Sequence, residues 1–409
     1  MPEIQPFPGI LYRVPEAELP KVLAPPYDVI PPALQDELYA RDPRNIVRVI
    51  LNRVPGDAGY AEAGATFAKW RAEGVLAPDD APALYVLEQS FALEGRTLRR
   101  FGLLARFRAV DPKDRVVLPH EHTRAAAKED RWKVLNATRA NFSPIFLMFP
   151  DVERRFTQEL AEAMSAPASL HYTDDGHTAH RLWRVTDAAR IAALTALLGS
   201  VKAYIADGHH RYATALRYRD AHGPNGAWTL GYFTPMEAPG LVIQPYHRIL
   251  SAGPTRAEAE AALAQHFDLR SADSVGEAAA RAARSSRPYA FALAWPDEPA
   301  LVAESKDASA DMLASDTPES LRVLDTYFLH RAVLGPILSV PDDAVSYVHS
   351  LAEAEQAVAK KTCRLAVLLR GTPARQIVDV AEAGESMPAK STFFHPKLPS
   401  GLVIHPLVD

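Results

Sequence analysis

The sequence predicts a mixed α/β protein, of the α+β class, and three observations favour that prediction. Short apolar segments of strand length alternate along the chain with longer amphipathic segments of helix length. Residues 84–92 and 98–109 flank Glu94-Gly95 in a pattern typical of a β-hairpin. The chain has 409 residues, which is enough for two or three domains.

The first part of the chain is rich in proline, which marks where elements begin. A Pro-Pro turn precedes Tyr27 and Asp28, and a helix is predicted to begin near Pro32 because proline is tolerated in a first turn. Residues 44–51 predict a strand. Residues 58–73 predict an amphipathic helix, which a glycine then ends.

Strands and helices continue to alternate beyond the predicted hairpin. The predicted strands are 145–149, 180–185, 201–206, 229–234 and 241–250. The predicted helices are 152–164, 186–198 and 211–221. Asp187 lies near the positive end of the second of these helices, where a carboxylate is favourable.

The composition changes around residues 251–255, and the chain that follows is rich in alanine. The later predicted elements are helices at 256–265 and 317–334 and strands at 288–294 and 364–370. We therefore predict a first region at 1–252, with a weaker sub-boundary within 110–150, and a C-terminal α+β domain at 253–409. The last segment of that domain is expected to return to the site.

Composition and charge exclude several classes of protein. Hydrophobic residues make up 48% and charged residues 23%, which excludes a disordered or fibrous chain. The net charge of −5 argues against a nucleic-acid partner. The single cysteine, Cys363, is predicted to be a buried thiol, and alone it forms neither an intrachain disulfide nor a cysteine-based zinc site. Without an 18-residue apolar run or a signal-peptide pattern, a cytoplasmic protein with no membrane partner is expected.

The segment with the clearest chemical pattern runs from an apolar strand into a helix. The polar and flexible residues between them are Asp207, Gly208, His209, His210 and Arg211. Free backbone N–H groups and the positive end of the helix dipole meet at such a turn, which favours an anion. Gly208 lets the backbone approach a ligand, Arg211 suits bidentate contact with phosphate, and Asp207 supplies a carboxylate for a divalent cation or a hydroxyl proton. The structural alternative is an ordinary turn with surface histidines.

A second polar segment follows the apolar run that ends at Pro119. Its candidate residues are His120, Glu121, His122, Thr123, Lys128 and Arg131. The two histidines have the spacing of a metal pair on one strand face, whereas Glu121 is a candidate general base. Lys128 and Arg131 are candidates for contact with an anion. The alternative is a solvated loop and helix start with an incidental histidine pair.

Two further segments are candidates for a substrate pocket. The rigid Pro-Pro turn presents Tyr27 and Asp28. Lys390, Ser391 and Thr392 lie in a segment too polar and proline-bounded for a helix. A lysine beside two hydroxyls suits phosphate or carboxylate, although the glycine-rich loop of a P-loop is lacking. For both segments the alternative is a structural turn or surface loop.

Four motifs stand in the order found in one bacterial and archaeal family. They are Ala24-Pro-Pro-Tyr-Asp-Val-Ile, His120-Glu-x-Thr123, Ala206-Asp-Gly-His-His-Arg-Tyr and Met387-Pro-x-Lys-Ser-Thr. Over nearly the whole chain the sequence resembles the family catalogued as domain of unknown function one thousand and fifteen. The Asp-Gly-His-His-Arg turn also resembles the phosphate-binding turn of the ParB and sulfiredoxin superfamily, above all that of the free serine kinases. It lacks the cysteine that sulfiredoxin places there, which argues against a sulfinic acid reductase.

The resemblance implies both a fold and a site. The implied fold is a ParB/sulfiredoxin-like mixed-sheet core at 1–252, which forms a nucleotide-binding catalytic region, followed by a second α/β domain. The implied ligand is the phosphate of ATP or ADP at Gly208, His209, His210 and Arg211, with Asp207 near the transferred group. Free serine kinases phosphorylate the hydroxyl of a free amino acid.

The first functional hypothesis is a small-molecule kinase that phosphorylates the hydroxyl of a hydroxy acid or a serine-like amino acid. Mg²⁺ would bridge the phosphates, with Asp207 as its ligand, and Glu121 or Asp28 would accept the hydroxyl proton. The predicted catalytic residues are Asp207, His209, His210 and Glu121. The predicted substrate-binding residues are Tyr27, Asp28, His120, Thr123, Lys128, Arg131, Lys390, Ser391 and Thr392.

Two other functions stay open. A metal-dependent hydrolase would use Asp207 with the imidazoles of His120, His122, His209 and His210. We favour the kinase because adjacent histidines at a strand-to-helix turn rarely both point at one metal. A non-catalytic, ParB-like nucleotide-binding regulator is the other alternative, although the acidic net charge disfavours DNA.

Overall fold

The chain forms two compact units, each of which combines a β-sheet with helices. A computed structural model describes residues 1–407, with side chains for all of them except residues 308–310. The first unit comprises Met1–Pro119, Thr123–Val242 and Pro396–Asp409, and the second comprises His120–His122 and Ile243–His395. The chain leaves the first unit after Val242, ten residues before the boundary predicted near 252. It returns to the first unit at Pro396–Asp409. The mixed α/β class predicted from the sequence is confirmed.

The first unit is built on a nine-stranded mixed sheet. Its hydrogen-bonded order is Val117–Leu118, Ala203–Asp207, Ile145–Phe149, Trp228–Pro235, Arg96–Arg108, Leu84–Leu93, Ala179–Val185 and Leu170–Thr173, with Ile4–Gln5 also pairing with Arg96–Arg108. Ile145–Phe149 runs parallel to Trp228–Pro235 and antiparallel to Ala203–Asp207, so both kinds of pairing occur. Short pairs join Ile10–Tyr12 to Leu76–Pro78 and Ala140–Asn141 to His405–Pro406.

The predicted hairpin is confirmed, and its turn shows why the register is fixed. Glu94 and Gly95 both have positive φ, 49° and 73°. A two-residue turn with both central residues in this region matches the right-handed twist of the flanking strands. Leu84–Leu93 and Arg96–Arg108 therefore pair without a bulge.

The helices of the first unit cover its sheet and pack into its core. They are Leu19–Val22, Pro32–Arg41, Val47–Ile50, Asp57–Ala72, Ala125–Thr138, Arg155–Ala163, Ala188–Leu198 and His209–His222. Asp187 caps Ala188–Leu198, since its carboxylate accepts from the N–H of Arg190 at 2.8 Å. Leu194 and Leu198 of that helix are fully buried in the sheet's hydrophobic core.

The second unit contains an antiparallel sheet of six strands. Its order is Phe267–Ala272, Ala300–Ser305, Ala290–Ala294, Leu365–Leu369, His247–Leu250 and Val345–Val348. Its helices are Arg256–Leu263, Val275–Arg284, Glu319–Arg322, Asp325–Phe328, Leu351–Ala359 and Ala374–Ala383, and Leu329–Leu334 is a π-helical turn. This part of the chain also holds two short strands, Val242–Gln244 and Phe393–His395, and the short 3-10 helices Asp307–Met312 and Asp342–Ala344.

Two predicted elements are wrong. Residues 44–51 hold the short helix Val47–Ile50 instead of a strand, because the amide oxygen of Asn45 accepts from the N–H of Val47 at 2.9 Å and starts a helical turn. The single helix predicted at 317–334 is broken, because Leu324 is extended (φ −92°, ψ 121°). Asp325 then begins a new helix, and its carboxylate is paired with Arg370 at 2.6 Å.

Cys363 is buried, as predicted, just before the strand Leu365–Leu369. Burial raises the pKa of its thiol. Among residues 1–407, none of the helices is long and apolar enough to cross a membrane.

Candidate functional site

The strand-to-helix turn predicted from the sequence is present in the first unit. Ala203–Asp207 is a strand whose first four residues are buried, and the helix His209–His222 begins two residues earlier than predicted. Gly208 joins them at φ 98° and ψ 28°, in the left-handed region that glycine adopts without strain. No side chain caps the helix, whose first turn directs its backbone N–H groups toward the Gly208 turn. The turn therefore offers N–H donors at the positive end of a helix dipole.

The carboxylate of Asp207 is held between two cations. Its Oδ1 accepts from Nζ of Lys397 at 2.7 Å, and its Oδ2 accepts from Nη2 of Arg211 at 2.5 Å. The three side chains are only 12–16% exposed. Nη1 of Arg211 also donates to the carbonyl oxygen of Pro144. These contacts fix both cationic groups beside the helix start.

The electrostatic balance around Asp207 is positive. Burial by itself would raise the pKa of Asp207, but Lys397 and Arg211 outweigh it and hold the pKa well below its usual range, with His209 contributing in the same direction. Arg100, which is fully buried, also interacts electrostatically with Asp207. The groups named here therefore bring several positive charges to one carboxylate, an arrangement that favours a second anion nearby.

His210 is a neutral hydrogen-bond donor at the same helix start. Its Nε2 accepts from the backbone N–H of Arg124 at 2.9 Å, which puts the proton of the neutral ring on Nδ1. Burial lowers the pKa of His210, and the charges of Arg124 and Lys128 lower it further, whereas Asp28 opposes them. The geometry suits donation to an anion through Nδ1.

Tyr27, which follows the Pro-Pro turn, lies near Arg211 at the start of the helix His209–His222. The guanidinium carbon of Arg131 lies 3.8 Å from the ring centroid of Tyr27. Burial raises the pKa of Tyr27 to about 12; Asp28 raises it too, while Arg131 and Arg211 oppose the shift. A cavity of about 60 Å³ is lined by Tyr27, Arg131 and Arg211, among others. Arg131 is itself occupied, since it donates to Asp130 and to the carbonyl oxygen of Ile50.

The first unit thus brings together parts of three predicted motifs. They are represented by Tyr27 and Asp28, by Lys128 and Arg131, and by Asp207 to Arg211. Thr123 also belongs to this unit and lies two residues before the helix Ala125–Thr138.

The remaining predicted residues lie in the second unit. Nε2 of His120 is 3.4 Å from Oγ1 of Thr392, and the backbone of Glu121 forms a bridge with that of Met387. The hydroxyl of Ser391 is buried and donates to the carbonyl oxygen of Pro388 at 2.6 Å, which commits it to the loop's own structure. Nζ of Lys390 lies 4.8 Å from the ring centroid of Tyr246.

Sequence reasoning missed two charged residues that interact with Asp207: Lys397, which is paired with it, and Arg100, which acts on it electrostatically. Lys397 lies 190 positions away along the chain, and Arg100 lies in a strand of the hairpin. Neither residue carries a local signal, because its role depends on which strands and loops become neighbours. Lys397 stands just outside the motif that contains Lys390, so only its proximity in sequence to that motif pointed to it.

The four histidines of the hydrolase alternative belong to different units, with His120 and His122 in the second unit and His209 and His210 in the first. Within the described part of the chain, no group of three or more His, Cys, Asp or Glu residues is arranged to hold a metal ion. His209 and His210 are the first two residues of the helix His209–His222, and His122 is exposed.

The chain belongs to a known family of proteins. The family described as "Protein of unknown function (DUF1015)" matches residues 4–327, which is most of the chain. No curated protein matches.

Several solved structures are similar to this chain at low identity. A free serine kinase in complex with AMP is 12% identical, with 71% of this chain and 86% of that chain covered and a TM-score of 0.35. A conserved hypothetical protein from Pyrococcus furiosus is 13% identical, with 74% and 95% covered and a TM-score of 0.36. SbnI from Staphylococcus aureus, truncated at its C-terminus, is 11% identical, with 74% and 87% covered and a TM-score of 0.36. At these TM-scores the similarity does not transfer a site or a ligand to this chain.

Proposed function

We propose that this protein is a small-molecule kinase that transfers a phosphoryl group from ATP or ADP to the hydroxyl of a small hydroxy acid or serine-like amino acid. One observation carries the proposal: Lys397 and Arg211 are fixed beside an uncapped helix start. Phosphoryl transfer depends on positioning and charge neutralisation more than on covalent chemistry. A rigid set of cations and N–H donors supplies both.

The nucleotide phosphates would bind at the turn from Gly208 to Arg211. Backbone N–H groups of the helix start would donate there, Nδ1 carries the proton of the neutral His210 ring, and Gly208 would allow close approach. We propose that the resemblance to the turn of the ParB and sulfiredoxin superfamily arises because both turns bind phosphate.

Asp207 would position the two cations. Both of its oxygens already accept from charged donors, so it fits this role better than the Mg²⁺ ligand predicted from the sequence. Mg²⁺ bound with the nucleotide would neutralise phosphate charge. Asp207 is expected to remain ionised throughout, since the pKa of this carboxyl lies well below its usual range.

The acceptor would bind near Asp28 and Lys128. Asp28 is exposed and lies close enough to affect the pKa values of both His210 and Tyr27, so it is our candidate to accept the hydroxyl proton. Lys128 is the better candidate for a substrate carboxylate, because Arg131 is occupied by Asp130. Glu121 and Lys390 stay predictions within the second unit.

The test is acceptor-dependent phosphate transfer, followed by ³¹P NMR. Purified protein with Mg²⁺ and ATP or ADP is incubated with a panel of hydroxy acids and hydroxy amino acids. R211M should lower the rate by about 10²-fold or more, as expected for the loss of a charged donor to a transferring group. R217M is the matched control, since Arg217 is half-exposed on the same helix and pairs with Glu129. Absence of any acceptor-dependent product would overturn the kinase proposal.

The two alternatives give different results in the same preparation. Nucleotide binding that R211M abolishes, without transfer to any acceptor, would favour the non-catalytic nucleotide-binding protein. Stoichiometric zinc or manganese in protein purified without added metal would revive the hydrolase. A salt-sensitive gel shift with DNA would indicate a nucleic-acid partner.

A further inference from the structure

A buried guanidinium in the second unit has no counter-charge within residues 1–407. Arg248 is 0% exposed. Its Nη1 donates to the carbonyl oxygen of Tyr246 at 2.6 Å, and its Nε donates to Nε2 of His330 at 3.1 Å. Its Nη2 is buried without a hydrogen-bond partner in the described chain, and no carboxylate pairs with it there. Arginine is rarely buried without a pairing group.

The strand register explains how this charge is buried. Arg248 pairs across the sheet with Tyr347 on one side and Val367 on the other. On the same face of the sheet, Leu250 and Val367 belong to the apolar core. Burial lowers the pKa of Arg248 to about 10, which leaves the side chain charged at neutral pH. The fold therefore keeps an unpaired cation beside a hydrophobic core, which is costly unless something compensates it.

A partly exposed aromatic ring and a neutral histidine lie next to this charge. The guanidinium carbon is 5.3 Å from the ring centroid of Tyr347, which is 37% exposed, so the charge lies just beneath an accessible ring. His330 lies in the π-helical turn Leu329–Leu334, a rare local structure that is frequent at functional sites. Burial lowers the pKa of His330 to about 4, so the ring is neutral. Since its Nε2 accepts from Arg248, its proton is on Nδ1.

We infer that Arg248 and His330 form an anion site in the second unit that binds the oxyanion of a small molecule, either a carboxylate or a phosphate. The unpartnered Nη2 of Arg248 would donate to the oxyanion, and the planar guanidinium suits either ligand. This inference is independent of the proposed function, because every residue it uses lies in the second unit. Its test therefore stands whether or not the kinase proposal does.

The test compares R248M with wild type in the full-length chain. Isothermal titration calorimetry with inorganic phosphate and with sodium acetate, which lacks the hydroxyl of a kinase acceptor, measures binding, and thermal unfolding measures the change in Tm with each ion. We expect one of the two ions to bind wild type, R248M to weaken that binding at least tenfold, and R248K to bind with intermediate affinity because it keeps the charge without the planar fork. R284M, which removes an exposed arginine of the same unit, should bind like wild type.

The two ions distinguish the ligand class. If R248M weakens the binding of acetate but not of phosphate, the site binds a carboxylate, and the reverse result identifies a phosphate site. In the absence of either ion, R248M should unfold at the same Tm as wild type or higher, because it removes an uncompensated buried charge. No binding of either ion to wild type, or equal binding to wild type, R248M and R248K, would overturn the inference. If R248M fails to fold, the comparison of wild type with R248K and R284M decides the question.

Discussion

Replacing Asp207 with asparagine should destabilise the first unit and make its stability depend on added anion. D207N removes the carboxylate that Lys397 and Arg211 share, and it leaves two largely buried cations beside each other. Breaking a buried ion pair by removing one partner costs about 3–5 kcal/mol. Because these side chains keep 12–16% exposure, we expect about 3 kcal/mol, the lower end of that range.

Anion binding should recover most of that loss. An ion that binds only the folded protein at about 100 times its Kd stabilises it by about 2.7 kcal/mol. Inorganic phosphate should therefore bring D207N close to wild type. Urea unfolding followed by tryptophan fluorescence is a suitable assay, since four of the five tryptophans, Trp70, Trp132, Trp183 and Trp228, lie in the first unit.

The pH dependence gives a second check on D207N. The pKa of Asp207 in the folded protein lies below its unfolded value of about 3.9, so the carboxylate stabilises the fold fully above that value. The stability difference between wild type and D207N should thus be constant from pH 5 to 8 and shrink below about pH 4.

A matched control separates this effect from general effects of salt and charge. D220N changes an exposed aspartate of the same helix, which pairs only with its neighbour Arg219 at the surface, and should alter stability by less than about 0.5 kcal/mol. The reasoning is refuted if D207N unfolds like D220N, or if phosphate stabilises both variants equally.

Two further predictions concern the same turn. G208A should destabilise the fold by about 2 kcal/mol and weaken nucleotide binding, because a Cβ at φ 98° would lie 2.9 Å from the guanidinium of Arg211. The control is G384A, where φ is 73° and the space is open, and it should cost about 1 kcal/mol and leave binding unchanged. Equal effects of the two substitutions in urea unfolding and calorimetry would contradict this prediction. Burial lowers the pKa of His210 below about 6.5, so as the pH falls the imidazole is protonated in the unfolded chain before it is protonated in the folded protein. Between pH 7.5 and 5.5, wild type should therefore lose more stability than H210Q in urea titrations. Equal losses of stability in the two proteins would count against this prediction.

The turn at Asp207 was predictable because its signal is local. An apolar strand, a glycine and a helical pattern follow one another within a dozen residues, and the peptide geometry fixes where the N–H groups point. The hairpin at Glu94-Gly95 and the Asp187 cap were predictable for the same reason. The broken helix at 317–334 was not, because the extended backbone at Leu324 is accompanied by an ion pair between Asp325 and the distant Arg370.

The sequence by itself determined the mixed α/β class, the family resemblance and the chemistry available at the Gly208 turn. The tertiary structure alone decided which charges meet there: Lys397 reaches Asp207 from 190 positions away, and both oxygens of Asp207 are engaged by cations. Among residues 1–407, it also left Nη2 of Arg248 buried without a hydrogen-bond partner. The physical reason is that strand and helix propensities act over a few residues, whereas Coulomb interactions depend on distances that only the folded chain establishes.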